Sequence, residues 1–278
     1  MSEDDAHTAT RRGSGALTGD PSGAVAGTAA LMGEYLTAVT GLLETIRDEE
    51  AGAVHRAAAL IADHVARDEL VYIYGPGGHS NLAAQEVFFR AGGLVHISAI
   101  LDGGTLLSDG ALRSMAMERT PGYATVVMRD NRIGAGDLLI LVNAYGINAA
   151  LIDAARYARQ EGATVIGVSS RQHAEATAPD HPARHPSREN LHDLVDVHVD
   201  TKVPVGDAVL NIDGLAENVA AISTFVNAYV LNSITASATA ELVRRGVTPP
   251  IWRSGNAPGG DSQHATFLDR FQSRVRWL

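Results

Sequence analysis

No cysteine occurs among the 278 residues, which removes disulfides, thiolate metal ligands and thiol nucleophiles and fits a reducing compartment. Positive charge is scarce as well. Asp and Glu number 32 against 22 Lys and Arg, a formal charge of −10 that disfavours nucleic acid or an anionic membrane as partner, since both reward clustered basic residues. An anionic ligand must therefore be captured by local groups. No run approaches the roughly 18 apolar residues of a membrane-spanning helix, and the acidic N-terminus lacks the basic and apolar regions of a secretory signal. The expectation is a cytoplasmic protein with no membrane partner. Internal repeats at solenoid periods are missing too.

What is present is an apolar content of 45% in a chain long enough for one large core. Large apolar side chains are nearly absent up to residue 27, so ordering that stretch would cost entropy that burial does not offset. Residues 1–27 read as a flexible tail ahead of a single domain over 28–278. Leu31, Tyr35, Leu36, Val39, Leu42, Leu43 and Ile46 recur at helical spacing, and Val54, Ala58, Ile61 and Val65 repeat the pattern, which predicts an N-terminal helical pair. Five β-rich runs follow: Leu70 to Tyr74, Leu94 to Ile100, Asp137 to Val142, Thr164 to Val168 and Val195 to Val199. Helices are expected between them at 80–91 and 147–161, and after them at 214–245. Such alternation is the signature of an α/β fold, a parallel sheet covered by helices in a three-layer sandwich. Residues 171–193, with four His and three Pro, read as a long functional loop, and 249–260 as a second irregular stretch before a short terminal helix.

The first strand runs into Gly75-Pro76-Gly77-Gly78-His79-Ser80-Asn81 and then a helix. A glycine-rich turn lets backbone N–H groups approach an anion, and the helix N-terminus adds about half a positive charge, so Gly77, Gly78, Ser80 and Asn81 are candidate phosphate ligands. The plainer alternative is a turn made by Gly and Pro, with Ser80 or Asn81 as a helix cap. Gly75 and Gly77 also imitate the start of a dinucleotide fingerprint, with Asp102 past the second strand. Ser80 stands where the third glycine belongs, so no redox cofactor is expected. Glu86, one to two turns into the helix, is a candidate general base, because moving a proton between sugar carbons needs a carboxylate or His poised near neutrality. A solvated surface Glu is the alternative. The third strand repeats the geometry in Asn143-Ala144-Tyr145-Gly146-Ile147-Asn148, where Asn143, Tyr145, Gly146 and Asn148 are candidate ligand contacts. Ser169 and Ser170, after the fourth strand, are further hydroxyl candidates.

In this order of strands, turns and helices the chain resembles the SIS (sugar isomerase) phosphosugar-binding family. More narrowly it resembles a group of phosphosugar and phosphoheptose isomerase-like proteins. The likeness is carried by GHSNLAAQEVFFRAGGL (78–94), GALRSMAMERTPGYA (110–124), PVGDAVLNIDGL (204–215) and PPIWRSGNAPGGD (249–261). The resemblance implies a five-stranded parallel sheet in order 2-1-3-4-5, phosphate held by hydroxyl-bearing loops after strands 1 and 3, and a homodimer or homotetramer in which one chain completes its neighbour's pocket. Ser80 matches the first loop. The second departs, since SIS proteins usually carry a Ser-rich turn where this chain has Asn143-Ala144-Tyr145-Gly146, and Tyr145 would fill part of a phosphate's volume.

His173 and His185 match His positions of the narrower group, and His79 lies in the turn itself; any of these imidazoles titrates in the range a proton shuttle needs. His173, His181, His185 and His192 match no zinc spacing, so no metal is expected. Glu118-Arg119 reads either as an exposed pair or as a group reaching a neighbouring pocket. Glu217 is expected to open the long last helix. Together these features predict an aldose–ketose isomerase that acts on a sugar phosphate through an enediol, with Glu86, His79 and His185 moving protons. A non-catalytic sugar-phosphate sensor and a lyase or etherase are the alternatives.

Overall fold

The computed structural model describes residues 21–278. Its centre is a parallel sheet of β1 (Val71–Tyr74), β2 (Ile97–Ile100), β3 (Leu138–Val142), β4 (Thr164–Ser169) and β5 (Val197–Asp200), in the order β2-β1-β3-β4-β5. The central strands β1 and β3 are short runs of Val, Ile, Leu and Tyr because both faces are covered. On β3, Leu138, Ile140 and Val142 point to one apolar cluster and Leu139 and Leu141 to the other. The first cluster is closed by α1 (Pro21–Ala66), α2 (Gly78–Val87) and α8 (Ser223–Arg244). The second is closed by α4 (Tyr123–Asp130), α5 (Ala149–Gln160) and α7 (Leu191–Leu194). Shorter elements complete the chain: α3 (Ala111–Glu118), α6 (Arg171–Ala176), and α9 (Gly260–Phe271), which docks through Phe271 beside Trp252 and Val95. Among the described residues no helix is long and apolar enough to cross a membrane.

Two expectations need correcting. The N-terminal helical pair is one continuous helix of 46 residues, which begins at Pro21, inside the stretch read as tail; residues 1–20 lie outside the described residues. In the charged run that separates the two apolar patterns, Arg47, Asp48 and Glu49 are exposed, Arg47 pairing with Asp48 at 2.7 Å, while Glu50 turns toward the sheet edge. Gly41 and Gly52 are tolerated within it at a propensity cost of about 1 kcal/mol each. The second correction concerns residues 214–222, which belong to a hairpin of β6 (Ala208–Leu210) and β7 (Val219–Ala221) and not to the last helix. Glu217 lies exposed in its loop. The helix starts at Ser223 because Asp207 accepts the N–H groups of Ile222 at 3.1 Å and Ser223 at 2.7 Å and also the Ser223 hydroxyl, satisfying donors that a helix start leaves open.

The sheet's far edge is fastened to α1 by Lys202, the one lysine of the sequence. Its ammonium lies 2.9 Å from Glu49, 3.0 Å from Glu50 and 3.5 Å from Asp200. Burial opposes the charge, but the hydrogen bonds to Glu49 and Glu50 and the attraction of Asp200 outweigh it and hold the ammonium above the usual lysine range. Lys202→Ala leaves three carboxylates facing one another and is expected to cost about 2 to 4 kcal/mol of unfolding free energy, read by urea denaturation. A variant as stable as the wild type would show that the clamp contributes nothing.

Candidate active site

In the order β2-β1-β3 the chain changes direction on either side of β1, and at such a switch point the crevice beyond the strands' carboxyl ends receives ligands. The turns after β1 and β3 meet there. Glycine is required in the first turn: Gly77 has φ +110°, and a Cβ on Gly75 would lie 2.0 Å from the Ser80 carbonyl oxygen. Asn143 joins the two turns. Its Nδ2 lies 3.2 Å from the Pro76 carbonyl, 3.2 Å from Ser80 Oγ and 3.1 Å from Glu118 Oε1. The side-chain oxygen accepts the N–H groups of Tyr145 at 2.9 Å and Gly146 at 3.1 Å, which shapes the second turn.

Glu118 closes the first turn from above. It ends α3, which is anchored where Ser114 Oγ donates to the Thr105 carbonyl at 2.8 Å, and a Cβ on Gly77 would lie 2.8 Å from the Glu118 carboxyl carbon. Burial pushes this carboxyl up to about 7, against the Asn143 hydrogen bond and the nearby Arg119, so both protonation states are populated near neutrality. Beyond it opens a cavity of about 560 Å³, lined by Glu118, Arg119, Tyr145, Asn148, His173 and His181 among others. Tyr145 stacks on His173 with ring centroids 3.9 Å apart. Burial raises the Tyr145 phenol and lowers the His173 imidazole, so the phenol stays protonated and the imidazole neutral. Asn148 is 3% exposed, its Nδ2 donates to the Ala183 carbonyl at 3.2 Å, and its Oδ1 has no protein partner.

The SIS domain family profile matches residues 34–170. A UPF0309 protein of Streptomyces coelicolor is 38% identical over 245 residues, 87% of this chain and 96% of the relative. The chain belongs to the UPF0309 family of SIS-domain proteins. Another member, from Halalkalibacterium halodurans, is 34% identical over 88% of this chain and 96% of its own length. A phosphoheptose isomerase from Francisella tularensis shares the fold, with a TM-score of 0.50 and 12% identity over 76% of this chain and 97% of that one.

In this UPF0309 chain the residues anticipated from sequence part company. Tyr145 and Asn148 line the cavity, while Gly77, Gly78, Ser80, Asn143 and Gly146 form the turns behind Glu118. Asn81 is structural, its amide donating to the carbonyls of Gly77 and Thr105 at 3.0 Å each. Glu86 is not brought to the site: its carboxylate lies 3.5 Å from Arg90 and 3.4 Å from Asn232 on α8. His79 is exposed on the first turn of α2, away from the cavity wall. His185 is a buried clamp, with Nε2 3.1 Å from Asp153 and Nδ1 2.7 Å from Ser187 Oγ. Ser169 is buried with Oγ 3.0 Å from His198 Nε2, and Ser170 caps α6 by accepting the His173 N–H. Asp102 accepts the Tyr123 hydroxyl at 2.6 Å. Glu118 was visible as half of an acid–base pair, yet no local pattern marks it, because its burial arises from elements far apart in sequence.

A carboxyl raised on folding stabilises the native state at low pH, and that contribution is lost as pH climbs from the unfolded value toward about 7. Glu118→Gln removes the titration. Relative to wild type, the variant is expected to gain about 2 kcal/mol between pH 5 and pH 8 in urea denaturation. Parallel pH curves for the two proteins would mean that Glu118 is solvated.

Proposed function

We propose that this protein binds a small sugar derivative, a sugar phosphate in the first instance, and interconverts its aldose and ketose forms with Glu118 as the base. The supporting observation is a carboxyl whose burial pushes it up to about 7 at the wall of a cavity that is also lined by a protonated phenol. In the reading proposed, Glu118 takes the proton from the carbon beside the carbonyl, the electron pair moves to the carbonyl oxygen, and the Tyr145 hydroxyl donates to that oxygen as charge develops. A proton then passes from the adjacent hydroxyl to the former carbonyl oxygen, by way of the Tyr145 hydroxyl, and as the new C=O forms at the hydroxyl-bearing carbon Glu118 returns its proton to the former carbonyl carbon, which completes the exchange without net oxidation. Imine formation on lysine has no candidate in the cavity, since the single lysine is clamped at the sheet edge.

The test is turnover of sugar phosphates in heavy water, followed by NMR. Deuterium at the carbon next to the carbonyl is expected in the product, with kcat about 10² to 10⁴ lower in Glu118→Gln and a rate that rises with pH through about 7. Binding without exchange would make the protein a sensor, and a cleaved substituent would make it a lyase.

The proposal includes a homo-oligomer built on the N-terminal half of α1. Val25 and Met32 are each 69% exposed there and Leu36 is 63% exposed, while Tyr35 is covered by Phe225, a row of apolar side chains that a second copy would bury. Light scattering of Met32→Glu combined with Leu36→Glu should return the monomer mass. An unchanged oligomer would remove this face from consideration.

A further inference from the structure

We infer that the ligand enters this site neutral end first, with a hydroxyl- or carbonyl-bearing end against Glu118 and its anionic group held by Arg119 and His181. The inference rests on the reading of the cavity as a sugar-derivative site and adds the direction in which the ligand lies. The N-terminus of α2 and the Gly75–Asn81 turn are the place in this fold that best suits an anion. Here that place is covered. Glu118 lies over Gly77, closer than a methyl group would allow, and its Oε1 is tied to Asn143. Ser80 is 7% exposed with its hydroxyl in the Asn143 bridge. No residue of the turn lines the cavity. A phosphate at the turn would have to displace Glu118 or stand in like-charge contact with it, and both are unfavourable.

The cavity's other groups supply what an anion needs. Arg119 lies on its wall and forms none of the ion pairs found among the described residues. Its planar guanidinium matches phosphate or carboxylate with two parallel hydrogen bonds. His181 accepts the Ala183 N–H on Nδ1 at 3.1 Å, which leaves Nε2 as the donor of the neutral ring. Arg184 fixes the loop that carries His181, donating to the carbonyls of Thr177 and Ala178 at 3.2 and 3.1 Å and to Asn190 at 2.9 Å. The pocket thus has a carboxyl, a guanidinium and an imidazole donor on its walls, the last two able to take the ligand's charge. Glu118 and Arg119 together set which end of the sugar is bound where.

The experiment uses inorganic phosphate as the probe, titrated at constant ionic strength into wild type, Arg119→Gln, Arg119→Lys, Ser80→Ala and Glu118→Gln, with the melting midpoint as readout. Midpoints without phosphate establish that each variant is folded. Wild type should be stabilised, Arg119→Gln should bind at least fivefold more weakly, Arg119→Lys should recover part of the loss, and Ser80→Ala should stay within twofold of wild type. A Ser80→Ala protein that loses phosphate while Arg119→Gln keeps it would place the anion in the turn and overturn the inference. So would a more than tenfold gain in Glu118→Gln, or no response from wild type. Phosphate is not turned over, so these results stand whether or not deuterium exchange is found, and the exchange result stands whichever way phosphate binds.

Discussion

The Asn143 side chain is the joint on which the site depends. Its amide reaches across from the end of β3 to the Pro76 carbonyl, Ser80 and Glu118, while its oxygen gathers the N–H groups of Tyr145 and Gly146. Five groups from three segments converge on one buried residue, 2% exposed. Such a network is favourable only when nearly every member is satisfied, so it fixes the two turns and α3 relative to one another far more tightly than apolar packing would. A serine in that position has one hydroxyl and a shorter reach, and it cannot serve both turns at once. In this chain the second turn holds the Glu118 carboxyl through Asn143.

From that joint follow the electrostatics. Glu118 is desolvated by its position over the Gly77 turn, and Asn143 and Arg119 return only part of what burial takes away. The result is a carboxyl that changes charge near neutrality. Tyr145, delivered to the cavity by the same turn, is kept protonated by burial and flattened against His173. The Glu118 carboxyl, the Tyr145 phenol and Asn148 thereby come to line one cavity.

Particular elements show where sequence reading succeeds. Buried parallel strands are rich in apolar and β-branched residues, so all five are legible to within a few residues, and the strand order followed from the likeness to SIS proteins. The β6–β7 hairpin is not legible, because its strands are three residues each and its apolar residues, Val219 and Ile222 among them, continue into a helical period. Asp207, fifteen residues upstream of Ile222, decides where that helix begins. Likewise the two apolar patterns expected as separate helices belong to one long helix, and Glu49 and Glu50 between them are bound to Lys202.

By itself the sequence determined the fold class, the two small-residue turns at the strand ends, and the presence there of Asn143, Tyr145 and Asn148, since each depends on local periodicity or on residue types at fixed positions. Only the tertiary structure decided which acid faces the cavity. Glu86 and Glu118 are both helical glutamates, and nothing within a few residues of either distinguishes them. One turns toward Arg90 and Asn232, and the other meets the Gly77 turn and Asn143, 41 and 25 residues distant. Desolvation is a property of what packs around a group, and that is set by the folded chain as a whole.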